Sequence, residues 1–272
     1  MIGRGRSGTV FLARHLGLDE ERAIKRVRRT ESGFIQEAAL LKRLRHPGIP
    51  IIYDLEIDEN YYYLIEEYLC GESLYARIER TGELIRLGIE LCRIMNYLHS
   101  FKPNPILYLD LHPGNLLICR EQLKLIDFDQ AALASLSQER SVCYGTKGFA
   151  APEQYEGGTL DERTDIYAIG ALLYYMGTGH APEGEIKAGQ GSCWGDLYIL
   201  MGRCLRTEKK ERCQSVREVL EALEKLEARI FAERHIPLLR IAAAGSRSGI
   251  GVTHTALGAV RYLRQKGVSC LY

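Results

Sequence analysis

Three glycines at positions 3, 5 and 8, in Gly3-Arg4-Gly5-Arg6-Ser7-Gly8-Thr9-Val10, stand at the mouth of a run of β-forming residues. Glycine lets a backbone approach a ligand closely and aim its N–H groups at an anion, which is the chemistry of a phosphate cradle. The same pattern also serves in plain turns, so its weight depends on the residues C-terminal to it. Ala23-Ile24-Lys25 comes next, in a second strand-like run. Positions 23 and 25 share one face of a strand. A small residue there can roof a flat base while the ammonium reaches phosphates, although a lysine on a strand is often just solvated. Glu37, in Gln36-Glu37-Ala38-Ala39-Leu40-Leu41, is an acid among apolar positions. Burying it unpaired would cost on the order of several kcal/mol. It therefore either faces a cation, with Lys25 the candidate, or lies exposed. Further on, Asp110, His112 and Asn115 fall within six residues, and Asp127 follows Asp110 by 17 residues in Leu125-Ile126-Asp127-Phe128-Asp129.

The elements that must carry these residues change character along the chain. β-type runs occupy 9–13, 22–27, 51–57 and 61–68, interrupted by helical spacing of Phe34, Ala38 and Leu41 over 33–44. Beyond Gly71 the pattern predicts helices over 73–80, 83–100, 165–178, 194–205 and 215–234. Asp161 and Ser215 are cap candidates, and Gly177 to Gly179 is a stop signal. Short apolar runs at 116–119 and 123–126 read as a small hairpin. The expectation is an α+β chain: a small antiparallel β lobe with one helix over 1–71, then a larger helical lobe over 72–232. Residues 237–272 predict a short β-α-β piece, too small to bury a core of its own.

Composition narrows the function classes. With 272 residues, 46% hydrophobic, 26% charged and a net charge of +1, the chain has no bulk basic surface to argue for nucleic acid. No apolar run approaches the roughly 20 residues of a membrane helix. The eight cysteines include no Cys-x-x-Cys pair, which argues against zinc. Several sit in apolar segments as small hydrophobes. A reducing cytoplasm is the expected compartment.

Tyr108-Leu109-Asp110-Leu111-His112-Pro113-Gly114-Asn115 with Asp127-Phe128-Asp129 resembles the catalytic loop and metal-binding motif of eukaryotic-type (Hanks-type) bacterial serine/threonine protein kinases. The resemblance implies a two-lobed kinase fold over residues 1 to about 232. It also implies ATP and Mg2+ as cofactors and protein serine or threonine as phosphoryl acceptor. In that family's terms Asp110 orients the hydroxyl, and Asn115 and Asp127 hold the metal. Lys25 with Glu37 steadies the phosphates, and His112 stands near the transferred group. Ile2, Gly3, Gly5, Gly8, Val10, Ala23, Glu67, Leu69 and Leu117 surround the nucleotide. Two further matches extend it. Gly145 to Glu153, ending in Ala151-Pro152-Glu153, resembles the substrate-side loop, with Arg212 as partner of Glu153. Asp165 matches the aspartate that holds the catalytic loop.

Departures from the family pattern carry their own expectations. Leu109 replaces the arginine that docks a phosphorylated loop, so activity is expected not to need that phosphorylation. His112 replaces a lysine and should grip the phosphoryl group more weakly and in a pH-dependent way. Asp129 replaces glycine and is read as solvated. Glu66 falls at the rear of the base pocket, where a carboxylate is unexpected. Only Met1 and Ile2 precede the glycines, so most of the first strand is expected to lie upstream. Gly245 to Thr253 resembles the phosphate loop of partitioning-type P-loop ATPases, but Val252 stands where the Walker lysine belongs. Hydrolysis there is not expected, and a fused ATPase-like domain is expected beyond residue 272. A pseudokinase scaffold and a small-molecule phosphotransferase are the competing functions.

Overall fold

The structure is a computed structural model that describes residues 1–4, 8–30, 34–74, 81–137, 145–183 and 193–234. Residues 1–231 form one compact unit and 232–272 a second. The predicted β-α-β piece at 237–272, with its glycine-rich run, lies outside the described residues.

Five antiparallel strands make the first sheet: β1 (Gly3–Arg4), β2 (Thr9–His15), β3 (Glu20–Arg28), β4 (Ile52–Ile57) and β5 (Tyr61–Glu67), in the order β1-β2-β3-β5-β4. Lying between β2 and β5, β3 shows the period-two alternation of a half-buried strand. Ala23, Lys25 and Val27 are buried and the residues between them are partly exposed. On the outer face the Arg22 guanidinium lies 3.9 Å above the Tyr53 ring and that of Arg26 lies 4.7 Å above Tyr61. Helix α1 (Phe34–Leu41) buries Phe34, Ala38 and Leu41, with Phe34 stacked on Tyr62 at 5.6 Å. It is shorter than the predicted 33–44. Arg43 and Leu44 N–H groups bond to carbonyls only three residues back, so the end tightens before Pro47.

The helical part contains β6 (Glu72–Ser73), α2 (Thr81–His99), β7 (Ile106–Leu107), β8 (Leu116–Cys119), β9 (Gln122–Leu125), β10 (Ala132–Leu133), α3 (Ala134–Ser137), α4 (Pro152–Glu156), α5 (Glu162–Thr178), α6 (Cys193–Cys204) and α7 (Val216–Arg234). The predicted helix at 73–80 is wrong at its start. Ser73 is a strand residue paired with Leu117, and 75–80 lie outside the described residues. The predicted hairpin is present as β8 and β9, turned by Arg120 and Glu121, both at positive φ. That is the twist a two-residue hairpin turn needs, achieved here without glycine.

Helix α5 is the central strut. Asp161 caps it by accepting from the Arg163 N–H at 2.9 Å, and Gly179 ends it in a left-handed conformation. Ile166, Ile169, Leu172 and Leu173 have no exposed surface, and α5 packs against both α2 and α6. A helix apolar on most sides is a core helix. Of the cysteines described with their side chains, Cys92, Cys119, Cys204 and Cys213 are buried, and Cys70 is exposed.

Beside α5, Arg212 is fully buried and uses all five of its N–H donors. Two bond to the Glu153 carboxylate at 2.7 and 2.8 Å, and three to the carbonyls of Arg163, Arg206 and Thr207. Thr164 Oγ1 donates to the same carboxylate at 3.0 Å. Glu153→Gln keeps the shape but leaves the guanidinium without its counter-charge. Stability is expected to fall by about 3 kcal/mol in urea unfolding; a loss under about 1 kcal/mol would mean that the carbonyls alone carry the cation.

Candidate active site

The first sheet and the β8–β9 hairpin enclose a cavity of about 340 Å³, within the size range of small-molecule sites. Ile2, Gly3, Gly8, Val10, Ala23, Glu66, Glu67, Leu69 and Leu117 are among the residues that line it. Lys25, Asn115, Asp127 and Asp129 line it as well. Glycine is required at position 8, where an added Cβ would lie 2.4 Å from the Arg26 carbonyl oxygen. Packing of the loop against β3 thus demands glycine here, a reason separate from the phosphate approach and the plain turn that the sequence suggested.

Lys25 comes from the buried face of β3, and its side chain is 10% exposed. The ammonium donates to Asp127 Oδ1 at 3.1 Å and to Asp129 Oδ1. Asp127 has φ of 61°, a left-handed turn. It lets Phe128 enter the core while the carboxylates on either side of it face the lysine. Phe128 meets the Tyr108 ring edge-on at 5.2 Å. The Tyr108 hydroxyl, in turn, donates to the carbonyls of Ile126 and Asp127, at 2.5 and 2.9 Å. The metal-type motif and the catalytic-type loop are thereby tied together at the backbone.

The loop itself hangs from Asp165, which has no exposed surface. Its carboxylate accepts the N–H groups of Tyr108 and Leu109 at 2.9 and 2.8 Å, and lies 2.8 Å from His99 Nε2. Leu109 is left-handed, with φ of 67°, and buried among Leu107, Ala132 and Leu160. Its carbonyl accepts from Gln154 Nε2 at 2.8 Å. These bonds present Asp110 outward. Its Oδ1 accepts from both the N–H and the hydroxyl of Thr146, at 3.1 and 2.8 Å, while its carbonyl accepts from Asn115 Nδ2 at 3.0 Å. Gly145 permits this docking, since a Cβ there would meet Ala150 Cβ at 2.5 Å and Gln154 Nε2 at 2.9 Å.

The carboxylates crowd one another. Although the Asp127 side chain is 38% exposed, the cleft walls remove enough water to hold its pKa above the ordinary range. Lys25 opposes that rise and Asp129 adds to it. Glu66, across from Ala23 in the β3–β5 register, is pushed to about 7. Burial is the largest cause, with Lys25 pulling it down and Asp127 and Asp129 pushing it up. His112 is lowered, again mainly by burial, against the opposing pull of Asp110 and Asp127. Its Nδ1 accepts from the Gly114 N–H at 3.0 Å, and its Nε2 lies 3.9 Å from Asp110 Oδ2.

Most of the residues singled out in the sequence thus meet in one place. Ile2, Gly3, Gly8, Val10, Ala23, Lys25, Glu67, Leu69, Asn115, Leu117 and Asp127 all line the cavity. Asp110 and His112 join it through the loop that carries Asn115. Gly5 and the Glu37 side chain, and with the latter the expected Lys25–Glu37 pair, lie outside what the structure describes. Asp129 departs from its reading: it is 15% exposed and bonded to Lys25, not solvated. Tyr108 and Gln154 were given no role from the sequence. An aromatic directly ahead of the Asp110 loop was a usable signal for the first, but no local pattern marks the second.

A family model for the protein kinase domain matches residues 1–233. The chain belongs to the protein kinase family. The kinase domain is 34% identical over 202 residues to the serine/threonine-protein kinase PrkC of Bacillus subtilis, covering 68% of this chain and 31% of that one. It is 29% identical over 207 residues to the serine/threonine-protein kinase pkn3 of Myxococcus xanthus, covering 67% and 37%. With the serine/threonine-protein kinase VIK of Arabidopsis thaliana it shares 27% over 270 residues, covering 86% and 61%. The chain therefore spans about a third of the length of the two bacterial relatives. Protein kinases in general use ATP and Mg2+ and act on proteins. Among the described residues, no helix is long and apolar enough to cross a membrane.

The crowded charges of this kinase site make two of its residues sensitive to pH. Glu66 binds its proton more tightly in the folded state, at about 7, than an ordinary glutamate does at 4.5. Its contribution is therefore present at low pH and lost as pH rises through about 7. Glu66→Gln, which cannot ionise, should gain stability relative to wild type between pH 5 and pH 8, by about 2 kcal/mol. Urea midpoints at the two pH values would show it, and a pH-independent difference would refute it. For His112, the depressed pKa means that the imidazole loses its proton at a lower pH than an ordinary histidine does. The kcat ratio of His112→Lys to wild type should grow several-fold from pH 5.5 to pH 8, about in step with loss of the imidazolium.

Proposed function

We propose that this domain transfers the γ-phosphoryl group of ATP to serine or threonine hydroxyls of protein substrates, with Mg2+ as the required ion. One observation carries the reading. A buried lysine and the Asn115 and Asp127 oxygen donors line one nucleotide-sized cavity, and Asp110, its carboxylate held by Thr146, is tied to Asn115 through its carbonyl. In this reading residues 1–71 and 72–232 are the two lobes and the cavity lies between them.

Ala23 and Leu117 then close on the two faces of adenine, and the backbone of residues 67–69 offers hydrogen bonds to its edge. Gly3, Gly5 and Gly8, with Ile2 and Val10, cover the phosphates. Lys25, oriented with Glu37, sets the phosphate tail in line. Asn115 and Asp127 would hold the metal, which supplies charge neutralisation when bound. Asp110 orients the attacking hydroxyl and takes up its proton. The two bonds from Thr146 fix that carboxylate, and the His112 imidazole lies beside it, its Nε2 3.9 Å from Asp110 Oδ2.

Protein substrates are favoured over small molecules by the segment 145–153. Anchored by Arg212 and Gln154, it sits against Asp110. Leu109 is buried and apolar where the family carries its arginine, so activation without a phosphate docked there belongs to the same reading. The cytoplasm is the proposed compartment, since it supplies ATP and keeps the cysteines reduced.

The test is incorporation of labelled phosphate from ATP into a generic basic protein in the presence of Mg2+. Wild type is expected to incorporate label, and Asp127→Asn and Lys25→Met to lose about a hundredfold or more. Label that persists in both variants, or none with wild type, would reject phosphoryl transfer by this site.

A further inference from the structure

Asp129 occupies a position that is glycine in the kinase motif, and it does not point into solvent. Its side chain is 15% exposed, and the ammonium of Lys25, whose side chain is 10% exposed, donates directly to it. Lys25 also donates to Asp127 at 3.1 Å, and the Asp129 N–H lies 3.4 Å from Asp127 Oδ1. The left-handed turn at Asp127 makes this possible: residues 127 and 129 face the lysine, while Phe128 turns the other way into the core.

The two carboxylates differ in what else they must do. On the proposed function, Asp127 has to give its oxygens to a divalent cation, and a carboxylate engaged by a cation is a poorer acceptor for an ammonium. Asp129 has no such obligation. Lysine has three N–H donors, so one can stay on Asp129 while the others turn to phosphate oxygens. An ammonium on a four-carbon stem is mobile unless its donors are engaged. A fixed acceptor at the phosphate end of the cleft confines it where phosphates arrive.

We propose that Asp129 is a positioning residue for phosphoryl transfer, its carboxylate holding Lys25 at the phosphate end of the cleft while Asp127 serves the metal. This role rests on the kinase reading above and adds to it an anchor on the metal-binding motif itself.

The experiment combines steady-state kinetics with a readout that does not depend on activity. Wild type, Asp129→Gly, Asp129→Asn and Asp129→Glu are assayed for KM of ATP and for kcat. In parallel, the rate at which Lys25 is modified by an amine-acylating reagent at pH 7.5 is followed by mass spectrometry without nucleotide. Loss of the anchoring carboxylate should raise KM by about tenfold in the Gly and Asn variants, with kcat changed much less. Asp129→Glu should recover part of it. Lys25 should be acylated several-fold faster in the Gly and Asn variants, because the side chain loses the carboxylate that holds it in place and shields it from the reagent. Unchanged acylation would overturn the anchor. Faster acylation with unchanged or lower KM would overturn its role in the reaction, the latter marking Asp129 as a competitor of phosphate. If wild type transfers no phosphate at all, the kinase reading falls and this role with it. The acylation rates would still report separately whether Asp129 holds the lysine.

Discussion

A carboxylate with no exposed surface, Asp165, is the constraint around which the active site is arranged. Removing an ionised carboxylate from water is unfavourable unless hydrogen bonds replace the lost solvent. Asp165 meets that demand with the N–H groups of Tyr108 and Leu109 and with the ring of His99. It lies in the first turn of α5, where the helix dipole favours negative charge. Two adjacent N–H groups can point at one carboxylate only if the backbone turns sharply, and Leu109 accordingly takes a positive φ. Asp110, the next residue, is thrown outward by that turn, and Tyr108 inward toward Phe128.

From there the order propagates through bonds of modest individual strength. Tyr108 reaches the carbonyls of Ile126 and Asp127, Asn115 reaches the carbonyl of Asp110, and Gln154 reaches that of Leu109. Each joins a different segment to the same loop. The Glu153–Arg212 pair closes the far side of the segment 145–153, and the guanidinium tolerates full burial because every donor is matched. The sheet contributes little more than Lys25, Ala23 and the cover over the cavity. The precision of the site therefore lives in the helical part, built on α5.

Charge is distributed unevenly about this frame. Lys25 stands among Asp127, Asp129 and Glu66, and the walls of the cleft strengthen every interaction among them by excluding water. The consequences differ with position. At the rear Glu66 is driven toward its neutral form. Asp127 remains over a third exposed, and burial lowers the pKa of His112. A histidine, where the family pattern has a fixed cation, ties the charge of this site to pH.

The amino-acid sequence by itself determined the chemistry and the sheet–helix order. The Asp110–Asn115 loop and the Asp127 motif are short and continuous, and strand and helix periodicities survive in local stretches such as 22–27 and 165–178. The caps of α5 were equally legible, because Asp161 and Gly179 act on neighbours in the chain. The helix expected at 73–80 failed at its start, since Ser73 is recruited by the edge of β8 and strand pairing is not a local property. Only the tertiary structure decided what Asp129, Tyr108 and Gln154 do. Asp129 and Lys25 are separated by 104 residues and Gln154 and Leu109 by 45. A carboxylate reads as solvated until folding places a buried ammonium against it, and no spacing rule spans such distances.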